Sequence, residues 1–424
     1  MSSQGVVQAS QPEVSTPAGA WTVVWCLFLV GDVGCFNFMK VPPLMPVLID
    51  YYKLNLASAG LMMSLIGVTG LLLVLPAGVV VMRYGIKVVA LIAMAFSTAG
   101  CLLGAMAASY PVFLVSRGLE GISFSLLAVV GGTAAGIWFP PRKIGMPMGV
   151  MCSSMGVSGI LAMGIAPLMA QSFGWQSVWW VTGFLSFLSF VAVAIFVRMP
   201  PWMSAAAAVR TPPWMDAAAA ARESARKKPG LGEAFTNRNI WLVSAAFLFF
   251  YIPNSALGTY YVDYLTKIQG FTMVRAGLFN CFSMVGLLIG APLAGYVINK
   301  VRNFKLIFTV NGLLLGLLSL LPFHISGILV PIWLLLFGVF GAGFVSTLCL
   351  AAVPKVLVKP ELVGVGMAIA GFGMNLAGIV AAPYFGAVVD WAGWNAGAYA
   401  LIPAVLLGFI ANWITKYGNG TEHF

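Results

Sequence analysis

Charge is the scarcest property of this chain. Of 424 residues only 22 are Lys or Arg and 11 are Asp or Glu, while 61% are hydrophobic and the mean hydropathy is +0.98. A soluble globular domain carries about a quarter charged residues, so this composition excludes one. Histidine is nearly missing: His324 and His423 form no cluster. Without HExxH or CxxC the sequence offers no metal centre, and no cofactor is expected. The cysteines, at 26, 35, 101, 152, 281 and 349, all lie in apolar runs and read as small hydrophobes. No Walker loop occurs, and no GxSxG motif with partners, so neither an ATP-driven pump nor an enzyme is expected. Residues 1 to 20 hold neither Lys nor Arg, which argues against a cleaved signal peptide, and no lipidation motif is present.

What the chain has instead is long apolar runs. About 20 such residues cross a bilayer, and twelve stretches reach that length: 21–49, 57–82, 86–107, 110–138, 145–171, 176–198, 239–266, 274–299, 304–323, 328–353, 362–389 and 395–416. The net charge of +11 follows from their orientation. With both ends on one side, that side collects Arg83, Lys87, Arg142, Lys143, Lys300, Arg302, Lys305, Lys355, Lys359 and Lys416, against Lys53, Lys267 and Arg275 opposite. The positive-inside rule then puts both termini in the cytoplasm, and no nucleic-acid partner is needed to explain the charge. The expectation is an all-α, multi-pass protein of a bacterial inner (cytoplasmic) membrane, monomeric, with the lipid bilayer as its surroundings.

Internal repetition organises the spans. A shift of 217 carries Ala59, Gly60, Leu61, Val68, Leu71, Ala77 and Gly78 onto Ala276, Gly277, Leu278, Val285, Leu288, Ala294 and Gly295. A shift of 220 carries Gly118, Gly121, Phe124 and Pro140 onto Gly338, Gly341, Phe344 and Pro360. The chain is a six-span unit written twice. Its expected divisions are an N-terminal tail (1–20), a first six-helix bundle (21–198), a cytoplasmic linker (199–238), a second bundle (239–416) and a C-terminal tail (417–424). The linker holds a near-duplication, Pro200-Pro201-Trp202-Met203 and Pro212-Pro213-Trp214-Met215, each followed by alanines, and reads as a tether.

Twelve spans in two halves joined by a basic loop resemble the major facilitator superfamily (MFS), over essentially residues 20 to 416. The family motif GxxxDRxGRR between spans two and three is matched by Gly78, Arg83, Gly85 and Lys87 in GVVVMRYGIK, with Met82 replacing the acid. The second-half counterpart has Asn299 at that position and keeps Lys300. The resemblance therefore implies a cytoplasmic gate without its usual acid. The span-four motif RxxQG is matched by Arg117 to Gly121 (RGLEG), with Glu120 for the glutamine. The span-five glycine and GP signature of antiporters is not cleanly present: Ile165 and Ala166 separate Gly164 from Pro167. The resemblance implies two pseudo-symmetric six-helix bundles with a solute cavity between them, exposed alternately to either side.

Arg117 and Glu120 are the chemistry to explain, because a charge at the bilayer centre costs about 2.5 to 3.5 kcal/mol and normally faces a cavity or a partner. Under the 220 shift they fall on Phe337 and Phe340, so the scaffold repeats and the charges do not. At about 1.5 Å per residue Asp32 lies about 16 Å from the cytoplasmic start of span one, with Arg117 about 10 Å and Glu120 about 15 Å from the outer side. The three share a level. Asp32 and Glu120 are the proton-coupling candidates, and Asp32 facing Arg117 resembles an arrangement found in symporters of the family. Lys40 lies near the outer end of span one, beside Pro42, Pro43 and Pro46, which should loosen that helix. There it either snorkels to the headgroups or attracts an anion at the cavity mouth. Asn37, Tyr251, Asn254, Asn280 and Asn375 complete the candidate solute or ion-pair set.

These readings combine into a secondary active transporter of a small organic or inorganic anion, working by alternating access with proton symport. Its partners are the solute and protons. The alternatives are a proton-coupled exporter of apolar compounds, suggested by the aromatic content of the spans, and a non-transporting sensor or assembly factor of the same fold.

Overall fold

The structure is a computed structural model describing residues 19–139, 145–197, 235–301, 303–357 and 360–417. Nearly all of the 199–238 linker, most of both tails, and Arg142, Lys143, Arg302 and Lys359 lie outside these residues.

Among the described residues the chain is helical and contains no strand. In order run α1 (Ala20–Met39), α2 (Val41–Tyr52), α3 (Leu56–Ala105), α4 (Tyr110–Trp138), α5 (Gly145–Phe173) and α6 (Gln176–Phe196). The second half holds α7 (Arg238–Lys267), α8 (Met273–Lys300), α9 (Phe304–Leu320), α10 (Leu329–Phe337), a π-helical stretch (Gly338–Phe344), α11 (Val345–Val356) and α12 (Pro360–Ile414). Ten stretches are long and apolar enough to cross a membrane, and α9 is a shorter apolar helix of 17 residues. This is an integral membrane protein.

Local chemistry explains the breaks. Pro42 and Pro43 have no N–H to give to the carbonyls of Phe38 and Met39, so the first span divides at Lys40 into α1 and α2. Asn55, Thr272 and Asn303 start α3, α8 and α9 by accepting the N–H of Ser58, Arg275 and Leu306. Within α3 and α12 the helix is interrupted at one glycine each, Gly85 (φ 81°, ψ 163°) and Gly393 (φ 83°, ψ 174°). That backbone region is essentially closed to other residues. The motif glycine at 85 is thus present for its backbone.

The two halves of the chain meet along two seams of small residues. In the first, α3 lies on α12: a Cβ on Gly60 would stand 2.7 Å from the backbone of Ala382 and Pro383, and one on Gly386 would stand 2.6 Å from Leu56. In the second, α8 lies on α5, where a Cβ on Gly277 would strike the carbonyl of Met163. Gly60 and Gly277 are equivalent under the 217 shift, so the repeated Ala-Gly pair performs the same close approach twice. In lipid, where apolar burial drives little association, such backbone approach is what holds helices together.

Polar contacts close the end of the first seam that carries Leu56. Asp390 accepts the N–H groups of Leu56 (3.2 Å) and Ala57 (3.0 Å), Tyr260 donates to the Leu56 carbonyl (2.5 Å), and Ser64 donates to the Ile379 carbonyl (2.6 Å). Beside them Lys267 bridges Asp50 (3.3 Å) and Asp263 (3.2 Å). Further along α12, nothing lies within 4 Å of a Cβ built on Gly371 or Gly378.

The halves differ where the repeat loses its charges. Phe337 and Phe340 stand where the first half has Arg117 and Glu120, and from Gly338 to Phe344 the second half winds as a π-helix. Gly338 packs directly on the backbone of Ser283, and Gly343 on that of Gly290.

Replacing Gly393 by Ala should destabilise the protein by about 1–3 kcal/mol through backbone strain alone, because no atom lies within 4 Å of the added Cβ. A lower thermal midpoint for the detergent-solubilised variant is the expected reading; an unchanged midpoint would show that the φ above is not required.

Candidate functional site

Three ionisable side chains meet inside the first half. The Glu120 carboxylate takes one hydrogen bond from Lys40 Nζ to Oε1 (2.9 Å) and a second, on Oε2, from Arg117 Nη1. The i,i+3 spacing puts Arg117 and Glu120 on one face of α4, and the break between α1 and α2 brings Lys40 to it. All three are buried.

Lys40 is fully engaged. Besides Glu120 its ammonium donates to Asn37 Oδ1 (2.7 Å) and Thr182 Oγ1 (3.2 Å), lies 3.5 Å from Cys101 Sγ, and sits 4.4 Å from the centre of the Trp179 ring. It neither snorkels to the headgroups nor stands at a cavity mouth. The reason is directional: helix side chains lean toward the N-terminus of their helix, and for Lys40 that direction is back along α1 into the bundle.

Arg117 is only partly engaged. Nη1 also donates to the Asn37 carbonyl (3.0 Å) and Nε to the Met62 carbonyl (3.4 Å), while the buried Nη2 has no hydrogen-bond partner. Two cations share one carboxylate, so the cluster keeps a surplus positive charge whose free N–H groups belong to Arg117. The network runs on through Asn37 Nδ2, which donates to Ser97 (2.9 Å), and from Ser97 to Ser186 (2.8 Å). It links α1, α3, α4 and α6.

Asp32 stands apart. It is on α1 about 140° around the helix from Asn37, at 100° per residue, and it faces α5. Ser158 Oγ lies 2.5 Å from its Oδ1 and 2.7 Å from its backbone oxygen. Among the described residues Asp32 forms no ion pair, and Arg117 is not among its partners.

The remaining candidates are spread over the second half. Asn280 Nδ2 reaches Met163 Sδ (3.4 Å) across the α5–α8 seam, with Cys281 Sγ 3.5 Å from the Ile160 carbonyl beside it. Asn375 donates to Gly371 O (3.0 Å), and its Oδ1 lies where a Cβ on Gly70 would meet it, in the α3–α12 seam. Tyr251 and Asn254 stand three residues apart on α7, with Phe247 edge-on to Tyr251. None of these touches the charged cluster. In the GxxxDRxGRR region Lys87 donates to the Ala194 carbonyl (2.7 Å), and Arg83 is exposed over the Tyr84 ring; the surroundings of Gly78 and Met82 lie outside the description. Among the described residues no three His, Cys, Asp or Glu side chains come together as a metal site would need.

Ser97, Cys101, Ser158, Thr182 and Trp179 belong to these clusters and carry no signal in the sequence. Serines and threonines in apolar helices usually bond their own backbone, and the Cys101 thiol looked like one more small hydrophobe.

The sequence model of the Major Facilitator Superfamily matches residues 27–382. The chain belongs to that superfamily. Its members are transporters, not enzymes. The Hexuronate transporter of Escherichia coli (strain K12) is 22% identical over 329 residues, 74% of either chain. The uncharacterized transporter YybO of Bacillus subtilis (strain 168) is 21% identical over 299 residues, 69% of either chain. The fold is that of a bacterial homologue of the human lysosomal transporter Spinster. Its inward-facing, unoccupied form superposes with a TM-score of 0.74 at 15% identity over 95% of both chains. Its inward-facing, occupied form gives 0.72 at 14% identity, over 95% of this chain and 94% of that one.

Removing a partner from a buried ion pair costs about 3–5 kcal/mol, because the remaining charge is left without compensation. Glu120→Gln, which strands Lys40 and Arg117 together, should therefore lower thermal stability sharply, and the double variant Lys40→Met/Glu120→Gln should recover part of the loss. A double variant no better than the single one would show that Lys40 and Glu120 do not interact.

Proposed function

We propose that this protein is a secondary active transporter that moves a small organic or inorganic anion together with protons by alternating access. The observation that carries this reading is the surplus positive charge of the Lys40, Glu120 and Arg117 cluster, with the unpartnered Nη2 of Arg117 as its free donor. A fully buried guanidinium nitrogen without a partner is costly, and a carboxylate or an oxyanion is the ligand that satisfies a guanidinium best. The hexuronate relative, whose named solute is a carboxylate, supports the same class.

Arg117 is the anion's ligand in this reading, and Lys40, its donors spent, is a fixed counter-ion of Glu120. Asn37, Tyr251, Asn254, Asn280 and Asn375 are polar groups available along the path, and Asp32 and Glu120 are the acids available to the proton. Twelve spans follow if α3 and α12 are each counted as two across Gly85 and Gly393 and if α1 with α2, and α10 with α11, are each counted as one. They divide into bundles over 21–198 and 239–416, with both termini in the cytoplasm. The polar closure around Leu56 and Asp390 then faces outward and Gly371 inward, an inward-open arrangement in a monomer of the cell membrane. Gly78, Arg83, Gly85 and Lys87 lie at the cytoplasmic gate.

The test is transport in liposomes loaded with a pH dye and presented with a panel of small carboxylates and inorganic anions. Anion-dependent acidification of the lumen is expected, with loss of anion affinity of at least tenfold in Arg117→Lys, where the planar fork is gone. Silence across the panel from folded protein would turn the assignment toward the exporter of apolar compounds.

Alternating access is tested separately at the first seam. Tryptophan at Gly60 cannot fit against Ala382 and Pro383, so Gly60→Trp should hold that end open. In a background without native cysteines, a cysteine introduced at Ser64 should then react with an impermeant maleimide added outside, and stay protected when Gly60 is retained. Equal reactivity in both would count against a gate there.

A further inference from the structure

The second half contains a cavity of about 230 Å³ that shares no residue with the Glu120 cluster. Val297 and Val301 of α8 form one wall, Leu306 and Val310 of α9 the second, and Phe340 and Phe344 of the π-helical stretch the third. Leu306 is 53% exposed and Val310 46%, so the cavity opens sideways to the bilayer. α9 turns its glycines the other way: Gly312 rests on Phe250 and Phe409, and Gly316 on Val405.

Asn311 is the one polar residue of the lining. It is only 3% exposed, and its Oδ1 has no hydrogen-bond partner. A buried amide oxygen without a donor is costly, and the scaffold does not ask for one here. A shift of 218 carries Lys87 onto Lys305, and the two lysines do the same work, donating to a carbonyl near the end of the last helix of their half, Ala194 and Trp413. The same shift carries Ala93 onto Asn311, and Ala93 is fully buried in the first bundle. The repeat packs with alanine at this place, so the asparagine answers a need other than packing.

What Oδ1 lacks is a donor. A lipid acyl chain suits the walls but brings none. A lone water brings donors, but a buried water is held by about two to four polar partners, and these walls are otherwise apolar. An apolar body with one hydroxyl satisfies both the walls and the oxygen. Volume limits that body: an apolar cavity of about 150 Å³ holds a benzene, so this one takes a single ring with a short substituent. Phe340 and Phe344, with centroids 5.3 Å apart and planes at 46°, present such a ring with both a face and an edge.

We propose that the cavity between α8, α9 and the π-helical stretch is a binding site for a neutral one-ring alcohol or phenol, which enters from the bilayer and donates its hydroxyl to Asn311 Oδ1. Its occupant braces α8 against the segment whose Gly338 and Gly343 pack on Ser283 and Gly290 of that same helix. The site stands apart from the anion and from the proton coupling proposed above.

The test uses the full-length protein in phosphatidylcholine nanodiscs with a diazirine-bearing benzyl alcohol as photolabel. Mass spectrometry should find the label on Leu306, Val310, Phe340 or Phe344. Excess 4-ethylphenol should remove it, while 4-ethyltoluene, of the same shape without the hydroxyl, should compete about five- to tenfold less well at equal concentration in the lipid. Asn311→Leu should abolish that difference between the competitors, and Val310→Trp, which fills the cavity, should abolish the labelling. Without ligand, Asn311→Leu should melt at or above the wild-type temperature, because it removes an oxygen that has no partner, and 4-ethylphenol should raise the midpoint of the wild type more than that of the variant. A lower midpoint for ligand-free Asn311→Leu would show that the amide is bonded within the protein. Equal competition by the phenol and the toluene would show a groove for acyl chains. Either result overturns the proposal, as does labelling confined to other residues.

Discussion

A carboxylate shared between two buried cations ties the first half of this protein together. In a bilayer an unpaired charge and an unpaired amide are both expensive, and apolar side chains gain little by leaving lipid for protein. The Glu120 cluster answers the first problem by drawing donors and acceptors from α1, α3, α4 and α6 into one network. The helices that supply them are thereby held in register, which fixes where Arg117 points its one free nitrogen. One set of contacts fixes both the positions and the spare donor: the lysine that pairs with the glutamate leaves the arginine only partly committed.

The second half has no charge at the corresponding level. There it has phenylalanines and a π-helical stretch, and glycines bring backbone against backbone. The two seams between the halves use small residues, so their contact is extensive without being locked by ion pairs along its length. Polar locks gather instead at the end carrying Leu56, Asp50 and Asp390.

Asp32 contrasts with Glu120 in how it is held. Glu120 is surrounded by cations and donors drawn from several helices. Asp32 has one serine for a partner among the described residues and forms no ion pair there.

Much of this was legible in the residues. Length and spacing of apolar runs marked the membrane-crossing helices and the 217 and 220 shifts marked the repeat, while the seams and the backbone turn at Gly85 came from the folded chain. The pairing of Arg117 with Glu120 also followed from their spacing, because i,i+3 neighbours on a helix meet wherever the helix is. Local geometry of this kind depends on the chain alone. The partners of Lys40 and Asp32 did not follow, since each lies on another helix, and helix rotation, tilt and the backward lean of long side chains decide which residues meet across a gap. Depth along the bilayer put Asp32, Arg117 and Glu120 at one level but said nothing about the angle around the axis. Only the packed structure, by turning one face of α1 toward α5 and another toward α4, gave the lysine to Glu120 and left the aspartate to Ser158.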